Sequence, residues 1–142
     1  MSLWLLDTDT VSFVLSNHPL VNQRLAMAGE DAVTSIITVH EVFNGWVGRI
    51  NSAKTLNETI ALYGKLSKAL ELFKEVEILD FDDKAAAQLT ILVQNNPKLS
   101  KNKLQKDMRI ASIALANNAI VVTRNHRDFS QVPGLTIVDW TQ

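Results

Sequence analysis

Two rhythms of apolar residues run along this chain. Short apolar runs at residues 3–6, 32–37, 76–79 and 119–123 have the length and bounding of buried strands. A fifth run, 135–138, follows Pro133-Gly134 and predicts an edge strand. Between them the apolar residues recur every three to four positions. Thr8 or Asp9 is expected to cap a first helix through Val11, Val14 and Leu15, and Pro19 to open a second that closes near Gly29. A helix over 38–50 carries Val39, Val42, Phe43, Trp46, Val47 and Ile50. Another over 55–74 places Leu56, Tyr63, Leu66, Leu70 and Phe73 on one stripe. Asp82 caps a helix over 85–93, and a last helix spans 104–117. Strands alternating with helices predict an α/β fold, a central parallel sheet flanked by helices in three α/β/α layers. Length, and the lack of any linker or repeat, predict one domain over residues 1–142.

That architecture gathers certain carboxylates. Sites in open parallel sheets lie just beyond the carboxyl ends of the strands. Asp7 closes the first strand, Glu41 follows the second, and Thr123-Arg124-Asn125 closes the fourth. Asp107 leads a helical face formed by positions 110, 111, 114 and 115, so it is expected at the edge of the core, where an ionised carboxylate needs a partner. On its own helix Glu41 falls opposite the apolar stripe, beside Gly45 and Gly48, so it can serve a site only if that glycine-lined face borders a cleft.

Charge sharpens this picture. The net charge is only −1, yet residues 98–127 hold seven basic residues and a single acid, Asp107. Lys103, Lys106, Arg109, Arg124 and Arg127 of this block are the expected cations for a phosphate backbone, around an acid for a metal. The chain has no cysteine, which excludes thiolate chemistry and a disulfide framework. The three histidines have no metal-binding spacing, which disfavours zinc. Oxygen ligands alone suit Mg²⁺ or Mn²⁺ and hydrolysis of a phosphodiester by water. No apolar run spans a bilayer and the first residues lack a basic leader region, so the expected location is cytoplasmic.

Leu5-Leu6-Asp7-Thr8-Asp9 resembles the opening of PIN-domain nucleases, and Ile37-Thr38-Val39-His40-Glu41-Val42 their second acidic segment. The run from Asp107 to Ala114 is similar to the third. Val121-Val122-Thr123-Arg124-Asn125-His126-Arg127-Asp128-Phe129, with Val132-Pro133-Gly134-Leu135 and Asp139-Trp140, resembles the fourth and the tail. The subgroup most resembled is the VapC-type toxins of toxin–antitoxin pairs. The resemblance implies a PIN fold, Mg²⁺ or Mn²⁺, and endoribonuclease activity on structured RNA such as tRNA or rRNA. It also implies a homodimer and a cognate antitoxin lying across the site. It maps the acids onto Asp7, Glu41 and Asp107, with Asn125 as a neutral fourth member, Asp128 as its alternative, and Thr8 and Thr123 in support. The helical hairpin over 38–74 would supply the dimer or antitoxin surface, or simply core.

Two other readings carry different expectations. Leu5-Leu6-Asp7-Thr8-Asp9-Thr10-Val11 also fits a haloacid-dehalogenase-type phosphatase, with Asp7 as nucleophile and Asp9 as general acid. The neutral Asn125 also leaves room for a member that binds RNA or protein without cutting.

Overall fold

The computed structural model describes residues 2–142. Five strands, β1 (Leu3–Leu6), β2 (Ala32–Ser35), β3 (Glu77–Leu79), β4 (Ala119–Val122) and β5 (Ile137–Val138), form one sheet in the order β3-β2-β1-β4-β5. Every neighbouring pair is parallel, and β1 lies at the centre with Leu6 opposite Thr34 on one side and Val122 on the other. The helices are α1 (Thr8–Leu15), α2 (Pro19–Ala28), α3 (Ile36–Asn51), α4 (Leu56–Glu75), α5 (Asp83–Asn95), α6 (Gln105–Asn117) and α7 (His126–Phe129).

Side chains alternate along each strand, so the sheet builds two cores. Leu5, Val33 and Val121 pack with Met108, Ile110, Ile113 and Phe129 under α5, α6 and α7. Leu6, Ala32 and Val122 face the other way and pack with Val11, Val14, Val42, Ala69 and Phe73 from α1, α3 and α4. The chain moves outward from β1 through β2 to β3, then crosses back to β4 on the far side. Parallel crossovers share one hand, so reversing direction puts α5 and α6 on the face opposite α1–α4.

Several local expectations shift for identifiable reasons. The Ile36-Ile37 pair reads as strand, yet Ser35 accepts the Thr38 N–H at 3.1 Å and starts α3 two residues earlier than expected. The apolar residues of α4 divide: Ala69 and Phe73 are buried, with the Phe73 ring tilted against that of Phe43 in α3 at 5.7 Å, whereas Leu56, Ile60, Tyr63 and Leu70 stay exposed. α6 is buried almost all round rather than on one face, because it lies between the sheet and α5; Met108, Ile110, Ala111, Ser112, Ile113 and Ala114 are all inaccessible. Asn118 ends that helix in the left-handed conformation at φ 53°, which lets β4 begin at the next residue. The short α7 has too little periodicity to be foreseen. Among the described residues, no helix is long and apolar enough to cross a membrane.

The role of α7 in closing the core gives a first prediction. Phe129 is completely buried, so Phe129→Ala should cost about 3–5 kcal/mol in urea unfolding, while the exposed Leu70→Ala should change stability by less than about 0.5 kcal/mol. Equal effects of the two would contradict this assignment of the core.

Candidate active site

The sheet changes direction between β1 and β4, and the connections leaving those strands part to opposite faces. A crevice opens beyond their carboxyl ends. Asp7 sits in it. Its backbone N–H donates to Val122 O at 3.1 Å, tying it to the end of β4. Its Oδ1 accepts the Thr10 N–H at 2.9 Å, so Asp7 itself caps α1, and the cap is neither Thr8 nor Asp9. The side chain is nearly inaccessible at 3% exposure.

Because Asp7 caps the helix, Thr8 is free for another task. Its hydroxyl donates to Glu41 Oε1 at 2.6 Å and lies 3.2 Å from Thr38 Oγ1. Glu41 therefore faces the crevice although its helical phase suggested solvent. The condition set by the sequence is met in part: Glu41, Thr8 and Gly45 line one cleft, and Gly48 does not. Lys106 Nζ stands 4.0 Å from Glu41 Oε2.

Asp107 arrives from the first turn of α6, half-buried beside the core. The Asn125 side-chain amide donates to Asp107 Oδ2 at 3.0 Å and to Asp128 Oδ2 at 2.9 Å, clamping two carboxylates with one neutral group. The Asn125 backbone N–H in turn donates to Thr123 Oγ1 at 2.8 Å. Thus Thr123, Asn125 and Asp128 form one arm of the site, and Thr8, Thr38 and Glu41 the other.

The electrostatics are those of crowded negative charge. Burial raises the Asp7 carboxyl from an ordinary 3.8 to about 6, against the lowering influence of Thr123 and Thr10. Asp107 is also pushed up to about 6, first by burial and then by the charges of Asp7, Glu41 and Asp128; the Asn125 amide opposes this. Asp128 is held below its ordinary value by the Asn125 amide, with Arg127 and Lys103 adding to the effect. Among the described residues, no three Asp, Glu or His side chains close into a ready-made cation cage. Glu41 is turned toward Thr8, and Asp107 toward Asn125.

The basic residues flank this centre unevenly. Lys103 in the turn before α6 and Lys106 in its first turn are exposed, and Arg109 is half-buried on α6, with no ion pair among the described residues. The Arg124 guanidinium lies 5.5 Å over the Phe13 ring, and Arg127 Nε donates to Asp128 Oδ1 at 3.3 Å. Sequence reasoning missed a further set. The cleft past Glu41 is lined by Ser12, Ser16, Arg49, Lys65 and Lys68. Arg49 could have been found, since it stands two helical turns after Glu41 on one face; Lys65 and Lys68 carry no such local signal. Asp9, which a phosphatase would need beside Asp7, is exposed on the outside of α1.

The PIN-domain profile matches residues 4–135, and the chain belongs to the PIN-domain family. That membership overturns the phosphatase reading. The tRNA(fMet)-specific endonuclease VapC of Salmonella typhimurium is similar, 26% identical over 141 residues and 99% of each chain. The structure of VapBC2 from Rickettsia felis bound to a promoter DNA fragment superposes with a TM-score of 0.79 at 23% identity, covering 97% of this chain and 98% of the other. The DNA-bound VapBC structure from Salmonella typhimurium gives 0.78 at 28% identity over 99% of both chains.

The raised carboxyls have a measurable sign. Each binds its proton more tightly in the folded state than in the unfolded one. Their contribution to stability is therefore largest below about pH 4 and falls as pH rises toward and past 6. In EDTA, Asp107→Asn should melt several degrees above the parent at pH 7.5, and the advantage should shrink to nothing near pH 4. A difference that does not depend on pH would refute the crowded-charge account.

Proposed function

We propose that this chain is a Mg²⁺- or Mn²⁺-dependent endoribonuclease, the toxin of a toxin–antitoxin pair, cutting structured RNA such as tRNA or rRNA. The observation that carries the reading is the acid centre in the β1/β4 crevice. Asp7 and Asp107 are forced together by the fold, Glu41 and Asp128 stand around them, and cations rim the opening. The tRNA(fMet)-specific endonuclease activity named for the similar Salmonella protein supports it.

The residues present fit a hard divalent cation. Their donors are carboxylate and amide oxygens, with neither thiolate nor histidine among them, and the buried negative charge lacks a positive partner of its own. Asp7, Glu41 and Asp107 would hold the ion, with the Asn125 oxygen or Asp128 as fourth member. Bound there, the ion supplies activation of water and neutralisation of the charge that develops on a phosphodiester.

The chain's own groups do the rest. Thr8 holds Glu41 and Asn125 holds Asp107 at the crevice, so each carboxylate has only to turn from its neutral partner toward the ion. The cap on α1 keeps Asp7 from rotating away. Lys103, Lys106, Arg109 and Arg127 hold RNA phosphates on the α6 and α7 side and Arg124 beside α1, and Lys106 stands near enough to Glu41 to lead a phosphate toward the acids. The exposed Leu56, Ile60, Tyr63 and Leu70 of α4 offer an apolar face to the antitoxin or to a second copy.

Substitution separates the charge of the centre from its architecture. Asn caps a helix about as well as Asp, so Asp7→Asn should fold normally. It should nonetheless cut RNA at least about 100-fold more slowly in Mg²⁺ or Mn²⁺, the usual loss when a group that stabilises developing charge is removed. Asp107→Asn should behave alike. Induced expression of the parent should arrest growth, and Asp7→Asn should not. If purified parent leaves RNA intact with either ion and is harmless in cells, the non-cutting, RNA- or protein-binding reading replaces this one.

A further inference from the structure

The cleft past Glu41 lies on the α1, α3 and α4 face of the sheet. Helices α1, α3 and α4 enclose about 400 Å³ there, room for a unit the size of one nucleotide. Thr8 and Glu41 stand at one end, so the cleft opens directly from the acid centre. Arg49, Lys65 and Lys68 line it, and Glu41 is the one acid in its wall. Ser12 and Ser16 add hydroxyls. Trp46 contributes a flat apolar surface, and the Arg49 guanidinium lies 5.0 Å over its ring, a geometry that presents a planar cation for stacking. Lys68 is held in place by donating to Leu15 O at 2.7 Å and Asn17 Oδ1 at 3.3 Å, so its charge is fixed rather than free to swing.

Cations for phosphates, a stacking plane and hydroxyls suit a single RNA strand whose bases are unpaired. We propose that this cleft is a nucleotide subsite that takes the unpaired flank of the RNA on one side of the scissile phosphate, with Lys65 and Arg49 on its phosphates and a base stacked at Arg49–Trp46. The proposal rests on the ribonuclease reading and deepens it. The strand then passes the acid centre between two basic walls, one on α6 and α7 and the other on α3 and α4. An apolar or basic protein segment is less well suited, because Arg49, Lys65 and Lys68 favour an occupant that carries negative charge beside a flat apolar group.

The test uses Arg49→Glu/Lys65→Glu, two exposed positions outside the acid centre, with an unchanged melting temperature as the check on folding. Binding of a fluorescein-labelled decauridylate in EDTA reads the cleft without any cleavage. Loss of two contacts should make the slope of log affinity against log salt shallower by about 1.4, at about 0.7 per phosphate on a single strand. In cleavage assays KM should rise on the order of tenfold with kcat nearly unchanged. The conservative Arg49→Lys should keep the salt slope and lose part of the affinity, since a lysine cannot stack as a plane. An unchanged slope and KM in the double variant overturn the proposal while the ribonuclease reading stands. Unchanged RNA binding with weakened association of a co-expressed antitoxin also overturns it and gives the cleft to a protein. Parent protein that binds the decauridylate but cuts no RNA defeats the ribonuclease reading and, with it, the proposal.

Discussion

The pairing of β1 with β4 is the constraint on which everything else in this molecule depends. The two strands come from opposite ends of the chain, yet Leu3 to Leu6 lie in register with Ala119 to Val122. That register places the Asp7 N–H on Val122 O and brings the residues after each strand to the same crevice. A slip of one position would turn Leu5 and Leu6 to the wrong cores. It would also pull Asp7 away from the arm formed by Thr123, Asn125 and Asp128. The site and the hydrophobic sandwich are thus fixed by one set of hydrogen bonds.

Around that pairing, neutral polar groups manage the negative charge. Thr8 holds Glu41, Thr10 holds Asp7, and a single amide holds Asp107 and Asp128. None of these partners brings a positive charge into the centre, so Asp7 and Asp107 are ordered without being neutralised, while Lys106 and Arg127 meet Glu41 and Asp128 from outside. Lysine and arginine stay at the rim, where water screens them and substrate can reach them. Order without neutralisation is what a cation-binding centre requires, since an internal arginine would compete with the cation.

Much of this was legible in the residues, and the exceptions have physical causes. The α/β alternation, the five strands and the positions of Asp7 and Asp107 follow from apolar period and strand ends. Helix starts were displaced where a hydroxyl or carboxylate outbid hydrophobic pattern, as at Ser35 and Asp7. Glu41 could not be placed from its helical phase, because its orientation depends on Thr8, thirty-three positions away. The Asn125 clamp was invisible for the same reason, joining side chains eighteen residues apart. The cleft cations Lys65 and Lys68 are scattered on an otherwise ordinary amphipathic helix, and only the packing of α4 beside α1 and α3 brings them to the site. The charge segregation drew attention to residues 98–127 and so to one wall alone.

The same β1–β4 register has a consequence for the chain's own synthesis. Asp7 is made long before β4 and the Asn125 arm. Until residue 128 is available to fold, the first strand has no partner on that side and the acids have no shared crevice. A nascent chain therefore carries Asp7 without its partner arm until β4 and the residues after it have been made. The acid centre, on this account, is assembled only once β4 and the residues that follow it can fold, a delay written into strand order alone.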